Sequence, residues 1–164
     1  MSDPAKVYDA LDRLGIAYAL HEHPPVFTAD EAAEHWAGMP GRRVKNLFLR
    51  NKKGDRHYLV ILGVEKQADL RRLVTVIGDD RLSFASPERL MTHMGLTPGS
   101  VSPFGLLNDD TGTVRVIIDE DLRDADHLVF HPNINTASVV ISGADFQRFL
   151  QTRRNTVRYV RLGG

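Results

Sequence analysis

Apolar positions along this chain alternate between two spacings. Val7, Leu11 and Leu14 fall on one face of a helix. Asp3 can cap that helix, Pro4 suits its first turn and Gly15 can end it. "IAYAL" then reads as a short strand, and "HEHPPVF" as an extended connection, because a residue before proline avoids helical geometry. Thr28 and Glu31 have capping-box spacing for a helix through Trp36, which "GMPG" breaks. Val44 to Arg50 and His57 to Leu62, separated by "NKKGD", predict a β-hairpin. Helical spacing returns from about Gln67 to Ile77, with Leu70, Leu73, Val74 and Ile77 on the buried face. "LSFAS" is a short strand, and Ser86 with Pro87 starts a helix to about Met94. "TVRVIID", "HLVFHP" and "SVVIS" are strands, with "EDLRDAD" turning between the first two. Ser142 or Gly143 opens the helix "ADFQRFLQTR", and "TVRYVRL" forms a last strand.

Helices and strands interleave, yet one connection is a hairpin. The pattern predicts a mixed α/β fold with a central, largely antiparallel sheet and helices packed around it. A length of 164 residues without repeats or a linker fits one domain over residues 1–164. The net charge is zero, which excludes a strongly basic nucleic-acid coat but not a local patch. There is no cysteine, so disulfides, thiolate metal sites and a cysteine nucleophile are excluded together. No signal-peptide core and no membrane-length apolar run occur, which predicts a cytoplasmic protein without membrane contact.

Four features carry candidate chemistry. Alternation puts Lys45 on one face of its strand with Leu47 and Leu49, and Val44, Asn46 and Phe48 on the other. Such a lysine either binds an anion beside an apolar pocket or covers apolar surface with its stem. His131, in "LVFHPN", ends a strand before a proline. It reads either as a proton-transfer group in a cleft or as a hydrogen-bonded loop histidine. In "GSVSP", Gly99 permits unusual backbone angles and Pro103 fixes the exit. The amides of Ser100, Val101 and Ser102 are placed either to meet a ligand oxygen or to form a plain rigid turn. Arg153, Arg154, Arg158 and Arg161 gather in the tail as a phosphate patch or a solvated face. His21 and His23 lack a third ligand nearby, and no metal-binding spacing occurs, so no metal is expected.

Five segments in order, "HPPVFTADEA", "VKNLFLRNKKGDRHYLV", "RLSFASPERL", "GLTPGSVSPFGLLND" and "VFHPNINTASVVIS", carry a likeness that extends from the first helix to about Leu150. Together they resemble the YbaK-type aminoacyl-tRNA deacylases, the family that includes the editing insertion of bacterial prolyl-tRNA synthetase. Within it the likeness is to the free-standing Ala-tRNA(Pro) deacylases. The resemblance implies a trans-editing hydrolase that cleaves the ester joining a wrong amino acid to tRNA(Pro), without metal or organic cofactor. Lys45 matches the family's functional lysine, followed by Asn46. Gly99 to Pro103 match its GxxxP loop, and His131 its "HP" histidine. Partners implied are the acceptor end of tRNA(Pro) and prolyl-tRNA synthetase. Two other readings stay open: a pocket for Cys, Ser or another small residue, and a non-catalytic tRNA- or synthetase-binding module.

Overall fold

The computed structural model describes residues 4–24 and 41–162. In chain order these form α1 (Pro4–Arg13), β1 (Ala19–Glu22), β2 (Arg42–Asn51), β3 (His57–Gly63), α2 (Leu70–Ile77), β4 (Leu82–Phe84) and α3 (Pro87–Met94). A 3-10 turn (Pro103–Asn108) leads to β5 (Val114–Asp119), β6 (His127–Phe130), β7 (Ala137–Ser142), α4 (Gly143–Gln151) and β8 (Val157–Val160). The Asp3 cap and the helix expected through Trp36 lie outside the described residues.

The local chemistry follows the predicted stops and starts with few exceptions. Ser86 accepts from the Arg89 amide and Ser142 from the Asp145 amide, so both serines cap their helices. The helix predicted from about Gln67 begins at Leu70, because the Asp69 carboxylate accepts the Arg71 and Arg72 amides and fixes the start there. The first strand starts later than "IAYAL" suggests. Gly15 turns the chain at φ +69° and the Ile16 amide donates back to Leu11, so Ile16 goes into the core instead.

The sheet runs β1-β7-β6-β2-β3-β5-β8, with β4 also on β2. Among the described residues four pairings are antiparallel and three are parallel. The sheet is therefore mixed, with only a small antiparallel excess. β3 is buried along its whole length, as a strand with helices over both faces must be. On one face Phe48, Leu59, Ile61, Val116 and Phe130 join side chains from α1, α3 and α4 in the larger core. On the other, Leu49, Tyr58, Val60 and Leu62 meet Leu73 of α2, together with Val160 and Leu162 from the β8 segment.

The strand β2 holds the two halves of the sheet together. One edge pairs with β3 from Val44 to Arg50. The other edge meets β6 in parallel at Arg42 and Arg43, and β4 antiparallel at Leu49 to Asn51. Between them Val44 to Leu47 have no strand partner on that edge among the described residues. The directions of these pairings aim the carboxyl ends of both β6 and β4 at this opening.

A buried histidine underlies the hairpin. His57 is 5% exposed, stacks on Phe48 and lies 4.0 Å, ring to ring, from His93. An Arg89 guanidinium nitrogen donates to its Nε2 at 3.1 Å and also to the Gly54 carbonyl. Arginine cannot accept, so Nε2 carries a lone pair and the ring is neutral. Burial, then the neighbouring His93 and Arg89 charges, push this imidazole down to about 4 from 6.5. A histidine favoured in its neutral form contributes its full stability above about pH 6.5. That contribution is lost as pH falls from there through about 4. Unfolding free energy measured from pH 7 to 4 should therefore drop on the acid side, and His57→Gln should flatten that slope. An unchanged slope in His57→Gln would remove His57 as its source.

Candidate functional site

The opening beside β2 brings Asn46 and His131 to one crevice. A crevice of about 20 Å³ is lined by Arg43, Val44, Asn46, Val129, Phe130, His131 and Ser138. That is room for about one water molecule. It lies at the carboxyl end of β6, where two halves of a sheet part, and such a place favours ligand binding.

Strand geometry sets which groups meet. Arg42 pairs with Leu128 and Arg43 with Val129. Carrying that register two residues further brings Lys45 level with His131, just where the strands have separated. Lys45 is opposite Leu62, which belongs to the α2-side core, while Asn46 is opposite Ile61 of the larger core. Lys45 and Asn46 therefore project to opposite faces. Lys45 is half-buried and makes no hydrogen bond or ion pair among the described residues. On its own face Asn46 has a buried Oδ1 that accepts no hydrogen bond. A buried acceptor left unpaired costs roughly 1–3 kcal/mol, so its presence at a crevice marks a place for an incoming donor.

His131 is oriented by β7. Its Nδ1 lies 3.1 Å from the Ala137 carbonyl, which can only accept, so Nδ1 bears the proton and Nε2 is left as a base. Burial lowers this imidazole below its ordinary value, the Ala137 bond partly opposes the shift, and His23 adds to it. The His23 ring lies 6.4 Å from that of His131, and its Nε2 is 2.9 Å from the Ser138 hydroxyl. His23 is thus bound to β7. Among the described residues no three His, Cys, Asp or Glu side chains gather as a metal site.

The loop from Gly99 to Pro103 lies beside the segment that follows His131. Gly99 has φ +91°. A Cβ there would meet nothing nearer than the Asn135 amide nitrogen at 4.0 Å. Glycine is therefore required by the backbone rather than by crowding. Val101 packs against the larger core, and Pro103 begins the 3-10 turn. The Ser100 amide donates to Thr97, and Ser102 Oγ accepts from the Phe104 amide. Of the three amides expected to face a ligand, that of Ser100 is thus held within the loop itself. The amides of Val101 and Ser102 have no protein acceptor among the described residues. The loop is tied to the segment after His131, because Asn133 Nδ2 reaches the Phe104 carbonyl and the Phe104 and Phe130 rings meet edge to face at 5.7 Å. Asn133 is buried, sits at φ +66° and leaves its Oδ1 unpaired. A left-handed asparagine is tolerated better than most residues, but the position stores strain. "HPNIN" carries no spacing that announces it.

The arginine tail is elsewhere. β8 is separated from β2 by β3 and β5. Arg158 donates to the Ile77 and Val76 carbonyls at the end of α2, and Arg153 lies 5.9 Å over the Phe149 ring. These two serve the fold.

Residues 23–149 match the aminoacyl-tRNA editing domain, and the chain belongs to that family of aminoacyl-tRNA deacylases. It is 43% identical over 152 residues to the prolyl-tRNA editing protein ProX of Acetoanaerobium sticklandii, covering 93% of each chain. It is 33% identical to the prolyl-tRNA synthetase associated domain-containing protein 1 of Danio rerio, over 89% of this chain and 80% of that one. The multifunctional Ser/Thr-tRNA deacylase ProXp-y of Escherichia coli K12 is 27% identical, over 86% and 84%. A crystal structure of a proposed trans-editing enzyme for prolyl tRNA synthetase shares the fold at TM-score 0.76 and 23% identity, over 98% and 96% of the two chains. No helix among the described residues is long and apolar enough to cross a membrane.

The loop geometry makes one substitution informative. Gly99→Ala has room for its methyl group but places a Cβ at φ +91°. It should lower unfolding free energy by about 1–2 kcal/mol, the cost of left-handed backbone. A denaturant midpoint equal to the parent's would show that the loop relaxes to another conformation.

Proposed function

We propose that the protein edits in trans, hydrolysing alanine mischarged on tRNA(Pro) and sparing proline. The observation that supports this reading is the crevice at the split between β2 and β6, lined by Asn46 and His131, in a chain 43% identical to a prolyl-tRNA editing protein. An aminoacyl ester is already activated, so the protein must position a water and stabilise charge rather than build a strong nucleophile. The water attacks the ester carbonyl, and the carbonyl carbon–oxygen bond to the ribose breaks. The free amino acid leaves, and the ribose oxygen takes a proton.

Each group has a part in this scheme. Lys45, half-buried and without an anionic partner among the described residues, anchors a phosphate or polar group of the terminal nucleotide. The unpaired Oδ1 of Asn46 accepts from the amino group of the substrate. His131 positions the water through Nε2. A hydroxyl of the substrate's own ribose can share in activating that water. Gly99, Ser100, Val101, Ser102 and Pro103 floor the aminoacyl pocket with the free amides of Val101 and Ser102. Their stiffness excludes the proline ring by overlap, a stronger filter than lost contacts. A second reading, a pocket that takes serine or another small residue, is favoured by the 27% identical Ser/Thr-tRNA deacylase.

Purified protein incubated with Ala-, Ser-, Cys- and Pro-charged tRNA(Pro) should release alanine fastest and proline least. An alanine-to-proline ratio near one would overturn the editing reading. Lys45→Ala should keep the fold and lose about ten- to a hundredfold or slightly more in rate, the worth of a hydrogen bond to a charged group. Because neutral His131 is the working form, kcat/KM should fall on the acid side below about pH 6.5, the ordinary histidine value. In His131→Ala this acid limb should disappear, and its persistence would assign the limb to another group.

A further inference from the structure

We propose that Phe84 is a stacking platform for an unpaired base at the acceptor end of tRNA, working with Leu47 and Lys45 on one face of the sheet. The inference rests on the deacylase reading above and extends it to a residue outside the motifs. β4 is three residues long, and its first residue, Leu82, is buried in the α2-side core. Phe84 is two residues on and so shares that face. Its cross-strand partner Leu49 is completely buried. Phe84 itself is 63% exposed, more than any other large hydrophobic residue among those described.

A single exposed apolar side chain needs no explanation. Here the neighbours supply one. Along β2 from Leu49, the next two residues on the same face are Leu47 and Lys45, both half-buried. Leu47 packs at the margin of the α2-side core. An exposed ring, an apolar step and an unpaired cation thus lie in line over roughly 13 Å of strand, at about 3.3 Å per residue. The carboxyl ends of β4 and β6 converge on this stretch, so Phe84 and His131 stand at opposite rims of the same opening.

That order of groups suits an unpaired nucleotide end. An aromatic ring takes a base face of any sequence, and a lysine takes a phosphate. Bases within a double helix cannot offer their faces, so the platform selects the single-stranded terminus. A protein partner is a poorer fit, since one ring and one half-buried leucine fall far below the area of a stable interface.

The test uses the full chain and a tRNA(Pro) transcript with 2-aminopurine at its 3′ terminus, alongside steady-state deacylation of Ala-tRNA(Pro). The parent should quench the 2-aminopurine fluorescence on binding. Phe84→Ala should lose the quench and raise KM roughly five- to a hundredfold with little change in kcat, and Phe84→Tyr should restore both. A blunt acceptor-stem hairpin without the unpaired end should bind parent and Phe84→Ala equally. Parental quench and KM in Phe84→Ala would overturn the proposal, as would an equal loss for the blunt hairpin. An effect seen only with prolyl-tRNA synthetase present would do so too, by making Phe84 a protein contact. A parent that quenches but cleaves no charged tRNA would sink the deacylase reading and leave the platform standing.

Discussion

One edge of β2 must satisfy two strands that run in opposite directions. β6 takes its first residues in parallel and β4 takes its last in antiparallel. Two such strands cannot merge into one, so the edge between them stays without a strand partner among the described residues. Both chains leave the sheet at their carboxyl ends there, one into His131 and the segment to Ala137, the other into the Ser86 cap of α3. The opening is a consequence of topology, and its sides are backbone held by hydrogen-bonded ladders. Groups mounted on such a frame keep their separation better than groups on free loops.

The polar groups around the opening share an unusual state. His131 is held neutral by burial, and the Oδ1 atoms of Asn46 and Asn133 are buried without donors. Asn133 and Gly99 hold left-handed backbone on adjoining segments. Each feature costs free energy in the folded state. Asp109, by contrast, is buried with both oxygens occupied, accepting from Thr113, Val114 and Asn155. Concentration of unpaid polarity and strain in one place is the mark of a surface completed by a ligand.

Much of this was legible in the residues because it depends on short-range rules. Strict alternation in "RVKNLFL" already separates Lys45 from Asn46. The caps at Ser86 and Ser142 and the β2–β3 hairpin follow from neighbours a few residues apart. The parallel pairing of Arg42 with Leu128 joins residues far apart in sequence, and no periodicity encodes it. For that reason the near-balance of parallel and antiparallel pairings was not visible. Nor was the meeting of His131 with Asn46 at one crevice, which only the family resemblance suggested. Phe84 reads as one more apolar residue of a short strand, since exposure is decided by how far α2 reaches over the sheet. The tail misleads in the opposite way, because Arg158 spends its donors on the carbonyls of α2, a long-range cap that local sequence cannot reveal.

The α2-side core is completed by Val160 and Leu162, from the end of the described chain, against strands of which the first begins at Arg42. β8 joins that core by pairing in parallel with β5. During synthesis the hairpin and α2 emerge long before β8 exists, so Tyr58, Val60, Leu62 and Ile117 must wait with part of their cover missing. Parallel pairing of distant segments is slow to form and leaves apolar strands exposed meanwhile. The nascent chain therefore passes through a stage in which one face of its sheet is vulnerable to self-association. Truncation within the last few residues of β8 would make that passing stage permanent.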